Sequence, residues 1–312
     1  MRAFAIEEEG QAARLTTVPE PGPGDQFVIA VRASSINGFD VYQASGALTG
    51  MMEHRFPTLI GRDLAGVVEK VGPATKDFAV GDEVFGFVPS VPPVQQGTFA
   101  ERISGEGAIV VPMPAGLDFN QAAALPLAGT AALDLLDAAD LKEGDVVLVV
   151  GATGGVGSFV VQLAAARGAI VIATADVDDE AFVQDLGASH VVKRTEGSVT
   201  ASVRELYPDG ISVLIDVSSQ GEALNDLGSV VRPGGKVLSL VGAADSEYFA
   251  KSEVAASNVN AAVTTDKLER LGAMAASGEL RVPIQALFPL DQVDRAFEAF
   301  QRGKRGKLVL QI

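Results

Sequence analysis

The stretch VVLVVGATGGVGSFVVQLAAARGAIVIATAD, Val146–Asp176, decides the fold of this chain. The apolar run Asp145–Val150 predicts a buried strand, and Gly155–Arg167 predicts an amphipathic helix. A second apolar run, Ala169–Ala175, predicts another buried strand. Strand, glycine-rich turn, helix and strand in this order make up the βαβ unit of a dinucleotide-binding sheet.

The turn between the first strand and the helix has the spacing G-x-G-x-x-G, with alanine in the first place. We expect its backbone to bind the cofactor through Ala152, Thr153, Gly154, Gly155, Val156 and Gly157. A glycine at 154 lets the backbone approach a pyrophosphate, whose charge the helix N-terminus stabilises. A glycine at 157 lets the helix pack closely on the sheet. The alternative is a tight strand–helix turn without a ligand.

The cofactor is expected to be NADPH or NADH, and the sequence leaves the choice open. Asp176 follows the second strand, where an acidic residue would bind the ribose hydroxyls of NADH, and residues 178–180 add three carboxylates. Against this, Lys193 and Arg194 end the third strand and are placed to reach a 2′-phosphate. The acidic residues are equally well explained as the N-terminal charge bias of the next helix.

Strands and helices continue to alternate after this unit, which predicts an α/β fold with a Rossmann doubly wound parallel sheet. We expect helices at Asp178–Leu186 and Val199–Leu206, and strands at Val213–Val217, Lys236–Val241 and Asn258–Thr264. Asp216 and Val241 would then lie at the carboxyl edge of the sheet, where ligands bind in such folds. Val241 is therefore a candidate cofactor contact, whereas Asp216 either faces the ligand or caps a turn.

The regions on either side of the sheet differ from it. The first third has short apolar runs separated by Pro and Gly clusters, which is typical of β-structure. A helix is expected at Gln121–Leu136, interrupted at Pro126, and the chain closes with helices at Asp266–Ala276 and Asp291–Gln301 and a strand at Lys307–Ile312. The parallel sheet is therefore predicted to be inserted in a mostly β domain.

Composition excludes several classes of function. The chain has 24 Lys and Arg against 40 Asp and Glu, a net charge of −16, which disfavours nucleic acid and anionic membrane surfaces as partners. It contains no Cys and two His, so disulfides and thiolate metal sites are excluded and no zinc is expected. No apolar stretch approaches the roughly 20 residues of a membrane span, and we expect a cytoplasmic protein.

A set of motifs occurs in a fixed order along the whole chain: GRDLAGVVEKVG at 61–72, VGDEVFGF at 80–87, GTFAE at 97–101, AAALPLAGTAA at 122–132, GATGGVG at 151–157 and GKLVLQI at 306–312. Together they resemble the medium-chain dehydrogenase/reductase superfamily, in particular its zinc-free quinone oxidoreductase branch. The resemblance implies a GroES-like catalytic domain, residues 1–119 with 265–312, around a Rossmann domain at 120–264. It also implies a homodimer.

The same resemblance implies candidate catalytic residues in SSINGFDVYQASG, Ser34–Gly46, which lines the substrate side of the nicotinamide in this branch. Asn37, Asp40 and Tyr42 match its polar positions, and Asn37 or Tyr42 would hydrogen-bond a substrate carbonyl. Alternatively, Asp40 caps a helix and Tyr42 packs in the core.

Other positions depart from the family pattern. The zinc-dependent branch would place Cys near Asn37, and His and Glu at Arg62 and Asp63. Thr130 lies one place before the threonine that contacts the cofactor in this branch. Lys307 is expected either to approach the pyrophosphate or to be a solvated surface residue.

The sequence predicts an NAD(P)H-dependent, zinc-independent reductase of a small electrophile, either a quinone or an α,β-unsaturated carbonyl compound. One alternative is an enoyl-thioester reductase. Relatives of that kind carry a tyrosine proton donor at the position of Leu48, and the cluster Arg302, Lys304 and Arg305 would have to bind a carrier or coenzyme A phosphate. A second alternative is a dinucleotide-binding redox sensor without catalysis.

Overall fold

A computed structural model describes residues 1–24, 26–194, 198–219, 222–303 and 305–312. Lys304 of the predicted basic cluster lies outside these ranges. The chain forms two compact units, one made of residues 1–127 and 263–312 and the other of residues 128–262.

The first unit begins with a β-rich segment. Its strands are β1 (Arg2–Ile6), β2 (Arg14–Thr17), β3 (Phe27–Ser35), β4 (Thr58–Leu59), β5 (Asp63–Val71), β6 (Glu83–Phe87), β7 (Arg102–Ser104) and β8 (Ile109–Pro112). Two short helices, α1 (Gly38–Ala44) and α2 (Phe119–Ala123), accompany them, and helix α3 (Pro126–Ala139) leads into the second unit. Proline at the first position of α3 suits a helix start, because its missing N–H would have no partner within the helix.

The second unit holds the predicted parallel sheet. Its elements are β9 (Val146–Val150), α4 (Gly155–Ala166), β10 (Ile170–Ala175), α5 (Glu180–Asp185), β11 (His190–Lys193), α6 (Val199–Leu206), β12 (Ile211–Asp216), α7 (Ala223–Gly228), β13 (Val231–Ser239), α8 (Ser246–Ala250) and β14 (Ala255–Asn258). Its six strands lie in the order β11-β10-β9-β12-β13-β14, and all neighbours are parallel. This is the strand order of the Rossmann fold, whose ligand site lies where the order reverses, between β9 and β12.

The chain then returns to the first unit through α9 (Thr265–Ser277), β15 (Ile284–Pro289), α10 (Val293–Gln301) and β16 (Lys307–Gln311). Strand β16 pairs antiparallel with β3, and Val309 lies opposite Ser35. It extends a sheet with the order β15-β16-β3-β5-β6-β8, and β7 pairs with β3 beside it. Strands β2, β1 and β4 form a second, antiparallel sheet. The mostly β domain is thus completed by the end of the sequence, as predicted.

The structure differs from the sequence prediction in several details, and two of them concern the bounds of the parallel-sheet unit. The sixth strand of the parallel sheet is Ala255–Asn258, so the prediction at Asn258–Thr264 was wrong. This edge strand has the sequence AASN and is largely exposed, so it lacks the apolar run on which the sequence prediction relied. The first domain boundary was expected after residue 119, whereas the second unit begins at Ala128, inside α3.

No helix in the described ranges is long and apolar enough to cross a membrane.

Candidate functional site

The glycine turn joins β9 to the N-terminus of α4, as the sequence predicts. Gly151 has a φ of +83°, which favours glycine, and Gly157 leaves no room for a side chain, since a Cβ there would lie 2.1 Å from the Gly151 carbonyl oxygen. Ala152 is fully buried. Glycine at 151 and 157 is therefore explained by the backbone conformation of the turn and by its close approach to the helix within the second unit.

Gly154 is different, because packing inside the protein does not require it to be glycine. Its φ is −73°, and the nearest atom to a Cβ built there is the Gly151 carbonyl oxygen at 3.4 Å. Gly154 is the N-cap of the twelve-residue helix α4 and gives it no side-chain cap. The first N–H groups of α4, beginning at Gly155, therefore have no side-chain partner from the cap, and a bound pyrophosphate fits them.

The carboxyl edge of the sheet carries the other predicted contacts. Val241 follows β13, is 48% exposed and borders a cavity of about 460 Å³ together with Ser218, Glu222 and Asp245. Asp216 is fully buried, where its Oδ1 accepts from the N–H groups of the two serines that follow β12 and its Oδ2 accepts from Ser239. Of the two interpretations left open for Asp216, this geometry supports the turn cap.

Asp176 and Arg194 form an ion pair at the ends of β10 and β11. The guanidinium Nη2 donates to Asp176 Oδ2 over 2.7 Å. Thr130 lies on α3, fully buried, and its hydroxyl has no hydrogen-bond partner in the described part of the chain. Its contact with the cofactor stays a prediction.

In the first unit, a buried network joins the start of α1 to β5 and β16. The Lys307 ammonium donates to the Asn37 side-chain oxygen at 2.6 Å and to the Ile36 carbonyl at 3.0 Å. It lies 3.7 Å from Asp63 Oδ2, which also accepts from the Asn37 amide at 2.8 Å and from the Ser35 hydroxyl at 2.7 Å. We call Lys307, Asn37, Asp63 and Ser35 the lysine network.

This arrangement corrects two expectations from the sequence. Lys307 is 2% exposed, so it is neither a solvated surface residue nor free to approach a pyrophosphate. The side-chain oxygen and nitrogen of Asn37 are both engaged within the protein, and this disfavours the expected hydrogen bond from Asn37 to a substrate carbonyl. Sequence reasoning could not find Asp63 as a partner of Lys307, because the two residues lie on strands far apart in the chain.

The lysine network also fixes the start of two helices. Asp63 Oδ1 accepts from the Leu127 N–H in the first turn of α3 at 3.0 Å. Asn37 is the N-cap of α1, and its own N–H donates to Asp40 Oδ2 at 2.8 Å in a capping box. Asp40 therefore has the capping role that was the alternative to catalysis.

The environment of Asp40 is unusual for a carboxyl group. Asp40 is fully buried, its Oδ1 has no hydrogen-bond partner among the described residues, and Asp63 carries a second carboxylate nearby. Burial, together with the charge of Asp63, raises the pKa of Asp40 to about 7. Arg62 and Lys307 oppose this shift, and burial lowers the pKa of both cations. The Arg62 guanidinium stacks 4.0 Å from the centre of the Phe39 ring.

Tyr42 on α1 is the candidate catalytic residue that can meet a ligand. It is 51% exposed, so the alternative in which it packs in the core was wrong. Leu48 is buried. Residues 49–54, which follow Leu48, border a cavity of about 430 Å³. Its lining includes Met51, Met52 and the carboxylates of Glu9 and Glu53.

Comparison with known proteins gives the family. Residues 22–115 match the family model of the alcohol dehydrogenase GroES-like domain, and residues 155–272 match that of the zinc-binding dehydrogenase. The quinone oxidoreductase of Sus scrofa is 31% identical over 93% of this chain and 90% of its own length. The chain belongs to the medium-chain dehydrogenase/reductase superfamily.

Other similar proteins place it in the quinone oxidoreductase branch of that superfamily. The chloroplastic NADPH-dependent alkenal/one oxidoreductase of Arabidopsis thaliana is 34% identical over 92% of this chain and 72% of its own length. The structure of the quinone oxidoreductase from Coxiella burnetii superposes with a TM-score of 0.89 at 27% identity, covering 100% of this chain and 99% of the other.

The positions that hold zinc in the metal-dependent branch of the superfamily do not fit zinc here. Asn37 and Asp63 bond to each other and to Lys307, and Arg62 stacks on Phe39. Among the described residues, no group of three or more His, Asp or Glu side chains is placed to hold a metal ion. The side chains at these positions are thus engaged with one another, with Lys307 and with Phe39.

We expect Lys307→Met to destabilise the first unit strongly. The change leaves the buried carboxylate of Asp63 without its cation and removes the donor to Asn37, and breaking a buried pair in this way costs about 3–5 kcal/mol. Urea unfolding measures the change in free energy. The control is Lys142→Met, which removes an exposed ion pair with Asp140 and should cost less than about 1 kcal/mol. Equal effects of the two substitutions would contradict a structural role for the lysine network.

Asp40→Asn is expected to change how stability depends on pH. The folded-state pKa of about 7 lies above the ordinary value of 3.8, so the folded protein holds this proton more tightly than the unfolded chain. The resulting stabilisation is complete below pH 3.8 and is lost as the pH rises through about 7. Asparagine keeps the acceptor of the capping box without the charge. The variant should therefore gain stability over the parent protein between pH 5 and pH 8, by on the order of a few kcal/mol.

Urea midpoints at several pH values measure this gain. The matched control is Asp118→Asn, which changes the exposed carboxylate of the capping box of α2. Parallel pH profiles for Asp40→Asn and the parent protein would show that Asp40 does not titrate in this range.

Proposed function

We propose that this protein is an NAD(P)H-dependent, zinc-independent oxidoreductase that reduces a quinone or an α,β-unsaturated carbonyl compound. The observation that carries the proposal is the glycine at 154, at the open N-terminus of α4, where packing does not require one. Relatives named quinone oxidoreductase and alkenal/one oxidoreductase match it over nearly the whole chain. The fit of a pyrophosphate at this turn and the family membership support the same activity.

When bound, the reduced nicotinamide supplies the hydride. The turn 151–157 would hold the pyrophosphate through its backbone N–H groups. Hydride addition to a quinone or a conjugated carbonyl puts negative charge on the carbonyl oxygen, and a hydrogen-bond donor at that oxygen stabilises it. Tyr42 is an exposed donor in the segment Ser34–Gly46, and the lysine network would fix helix α1, which carries it.

The cavity bordered by residues 49–54 would favour an uncharged substrate. Its lining includes the apolar side chains of Met51 and Met52 as well as the carboxylates of Glu9 and Glu53. These carboxylates and the net charge of −16 repel the phosphates of coenzyme A or a carrier prosthetic group. Leu48 cannot donate a proton. Free quinones and enones therefore fit better than enoyl thioesters.

A homodimer and a cytoplasmic location are further proposals, which rest on the family resemblance and on the composition. Light scattering of the purified protein tests the first, and the distribution of the protein after cell fractionation tests the second.

The first test compares Gly154→Ala with the unchanged protein. A methyl group at 154 has room within the fold but occupies the place of an approaching phosphate. We expect at least tenfold weaker binding of NADH or NADPH in a fluorescence titration, with the unfolding midpoint little changed. Gly22→Ala, at an exposed site with no atom within 4 Å of the new Cβ, is the control for stability and binding. Failure of the unchanged protein to bind either nucleotide would overturn the proposal.

Turnover is tested by adding 1,4-benzoquinone, an enone and crotonyl-coenzyme A in turn and following nucleotide oxidation. Oxidation by the quinone or the enone is the expected result. Oxidation by the thioester alone would favour the enoyl-thioester reductase. Binding without turnover by any acceptor would favour a redox sensor.

Tyr42→Phe is expected to lower kcat by about tenfold to a hundredfold, because it removes the donor to the carbonyl oxygen. The Kd of the nucleotide should not change, since Tyr42 is assigned to the substrate. The control is Tyr248→Phe, at a tyrosine of the second unit that is 43% exposed, compared with 51% for Tyr42. A kcat unchanged by Tyr42→Phe would remove Tyr42 from the catalytic machinery.

A further inference from the structure

The methionines of this chain differ in how far solvent reaches them. All five lie in the described ranges, and Met51 alone is exposed, at 72%, whereas the other four are partly buried. A peroxide oxidises a thioether sulfur only where it reaches that sulfur, so exposure sets the order in which methionines react. Met51 is therefore the methionine that a peroxide meets first.

The backbone of Met51 is anchored at the edge of the cavity of about 430 Å³. Its N–H donates to the Leu48 carbonyl at 3.1 Å. The Thr49 hydroxyl secures the same turn, since it donates to the Gly46 carbonyl at 2.7 Å and accepts from the Gly10 N–H at 3.2 Å. The side chain of Met51 thus lines the cavity and also faces solvent. A chemical change at its sulfur alters the cavity wall.

Oxidation by hydrogen peroxide would make this part of the wall polar. The sulfur attacks one peroxide oxygen, the S–O bond forms as the O–O bond breaks, and the departing hydroxide takes the proton of the transferred hydroxyl to become water. The sulfur loses two electrons and the peroxide gains them. The product is a sulfoxide, whose oxygen accepts hydrogen bonds. An apolar ligand that covers this oxygen removes its water without replacing the hydrogen bonds, so the sulfoxide disfavours apolar ligands.

The proposed reaction is itself a source of this oxidant. Two-electron reduction of a quinone gives a hydroquinone. Dioxygen oxidises many hydroquinones back to the quinone, and in this step two electrons and two protons pass to dioxygen and form hydrogen peroxide. The peroxide therefore arises in the solution around the protein that made the hydroquinone.

We propose that Met51 is an oxidation site through which hydrogen peroxide weakens the binding of apolar substrates in the adjacent cavity. The inference rests on the proposed function, because it assigns this cavity to the substrate. Oxidation of Met51 would slow the protein when its products are being reoxidised, and so limit the useless consumption of NAD(P)H. Methionine sulfoxide reductases would restore the thioether.

The first measurement follows the chemistry and needs no activity. The protein is treated with hydrogen peroxide, catalase stops the reaction, and tryptic peptides are analysed by mass spectrometry. Met51 should be oxidised about tenfold faster than Met113 and Met274, because it is the most exposed. Met51 and Met52 share the tryptic peptide 33–55, so fragment ions separate them, and Met52 should also react more slowly.

The second measurement shows whether the oxidation acts on the cavity. The probe is 2,3-dimethyl-1,4-naphthoquinone, whose methyl groups block the ring carbons to which protein nucleophiles add. Oxidation should raise its Kd, measured by equilibrium dialysis without nucleotide, by about threefold to tenfold. Its KM should rise by the same factor with kcat little changed, as expected when binding common to ground state and transition state is lost.

Two treatments separate this effect from general damage. Methionine sulfoxide reductases should return Kd and KM to their starting values. The urea midpoint should not change on oxidation, since an exposed side chain contributes little to folding stability. Prolonged turnover of the naphthoquinone in air should oxidise Met51 without added peroxide, and catalase should prevent it.

Substitutions assign the effect to one sulfur. Met51→Leu keeps an apolar side chain without sulfur, and its Kd, compared before and after peroxide, should no longer change. Met51→Gln presents a polar acceptor without oxidation and should have a raised Kd from the start. The matched control is Met113→Leu, which should remain as sensitive to peroxide as the unchanged protein.

Oxidation of Met51 no faster than that of Met113 or Met274 would overturn this inference. So would an unchanged Kd after complete oxidation of Met51, or a sensitivity to peroxide that survives Met51→Leu and disappears in Met52→Leu. The proposed function fails separately, if no acceptor supports nucleotide oxidation, and the mass spectra and the dialysis still decide whether Met51 controls ligand binding in the cavity.

Discussion

A lysine ammonium enclosed in protein is the constraint on which the first unit depends. The Lys307 cation has left water, so it needs carboxylate and carbonyl partners at short range, and Asn37, Ile36 and Asp63 provide them. Those partners lie at the start of α1 and at the start of β5, and Asp63 also bonds the first turn of α3. One buried charge thus sets the positions of elements that are distant in the sequence.

Two of the ion pairs of this protein, Lys307–Asp63 and Arg194–Asp176, show how burial changes the role of an ion pair. Lys307 and Asp63 are buried, and their polar contacts within the described part of the chain are with protein groups, which gives this pair a fixed geometry. Around Arg194 and Asp176, both side chains are partly exposed, so the pair contributes little to folding stability and remains open to a ligand. The first pair shapes the scaffold, whereas the second lies partly exposed at the ends of β10 and β11.

The sequence predicted the fold well because its signals are local. The glycine turn, the apolar strands beside it and the proline that begins α3 each specify their own structure. The edge strand β14 was misplaced because it has little apolar pattern. The hydrogen-bond partners of Asn37 and Lys307 could not be predicted for another reason: they lie in other strands, and the sheet pairing of β16 with β3 brings them together.

The position of Lys307 in the sequence has a consequence for how the chain acquires its structure. Its hydrogen bond to Asn37 joins residues 270 positions apart, and the whole of the parallel sheet is synthesised between them. On the ribosome, residues 128–262 have emerged and can fold before β16 exists, because domains generally fold as units during synthesis. Until then Asp63 has no ammonium beside it. The folding order is therefore the reverse of the order in which the two units begin along the chain: the unit that starts first is completed last.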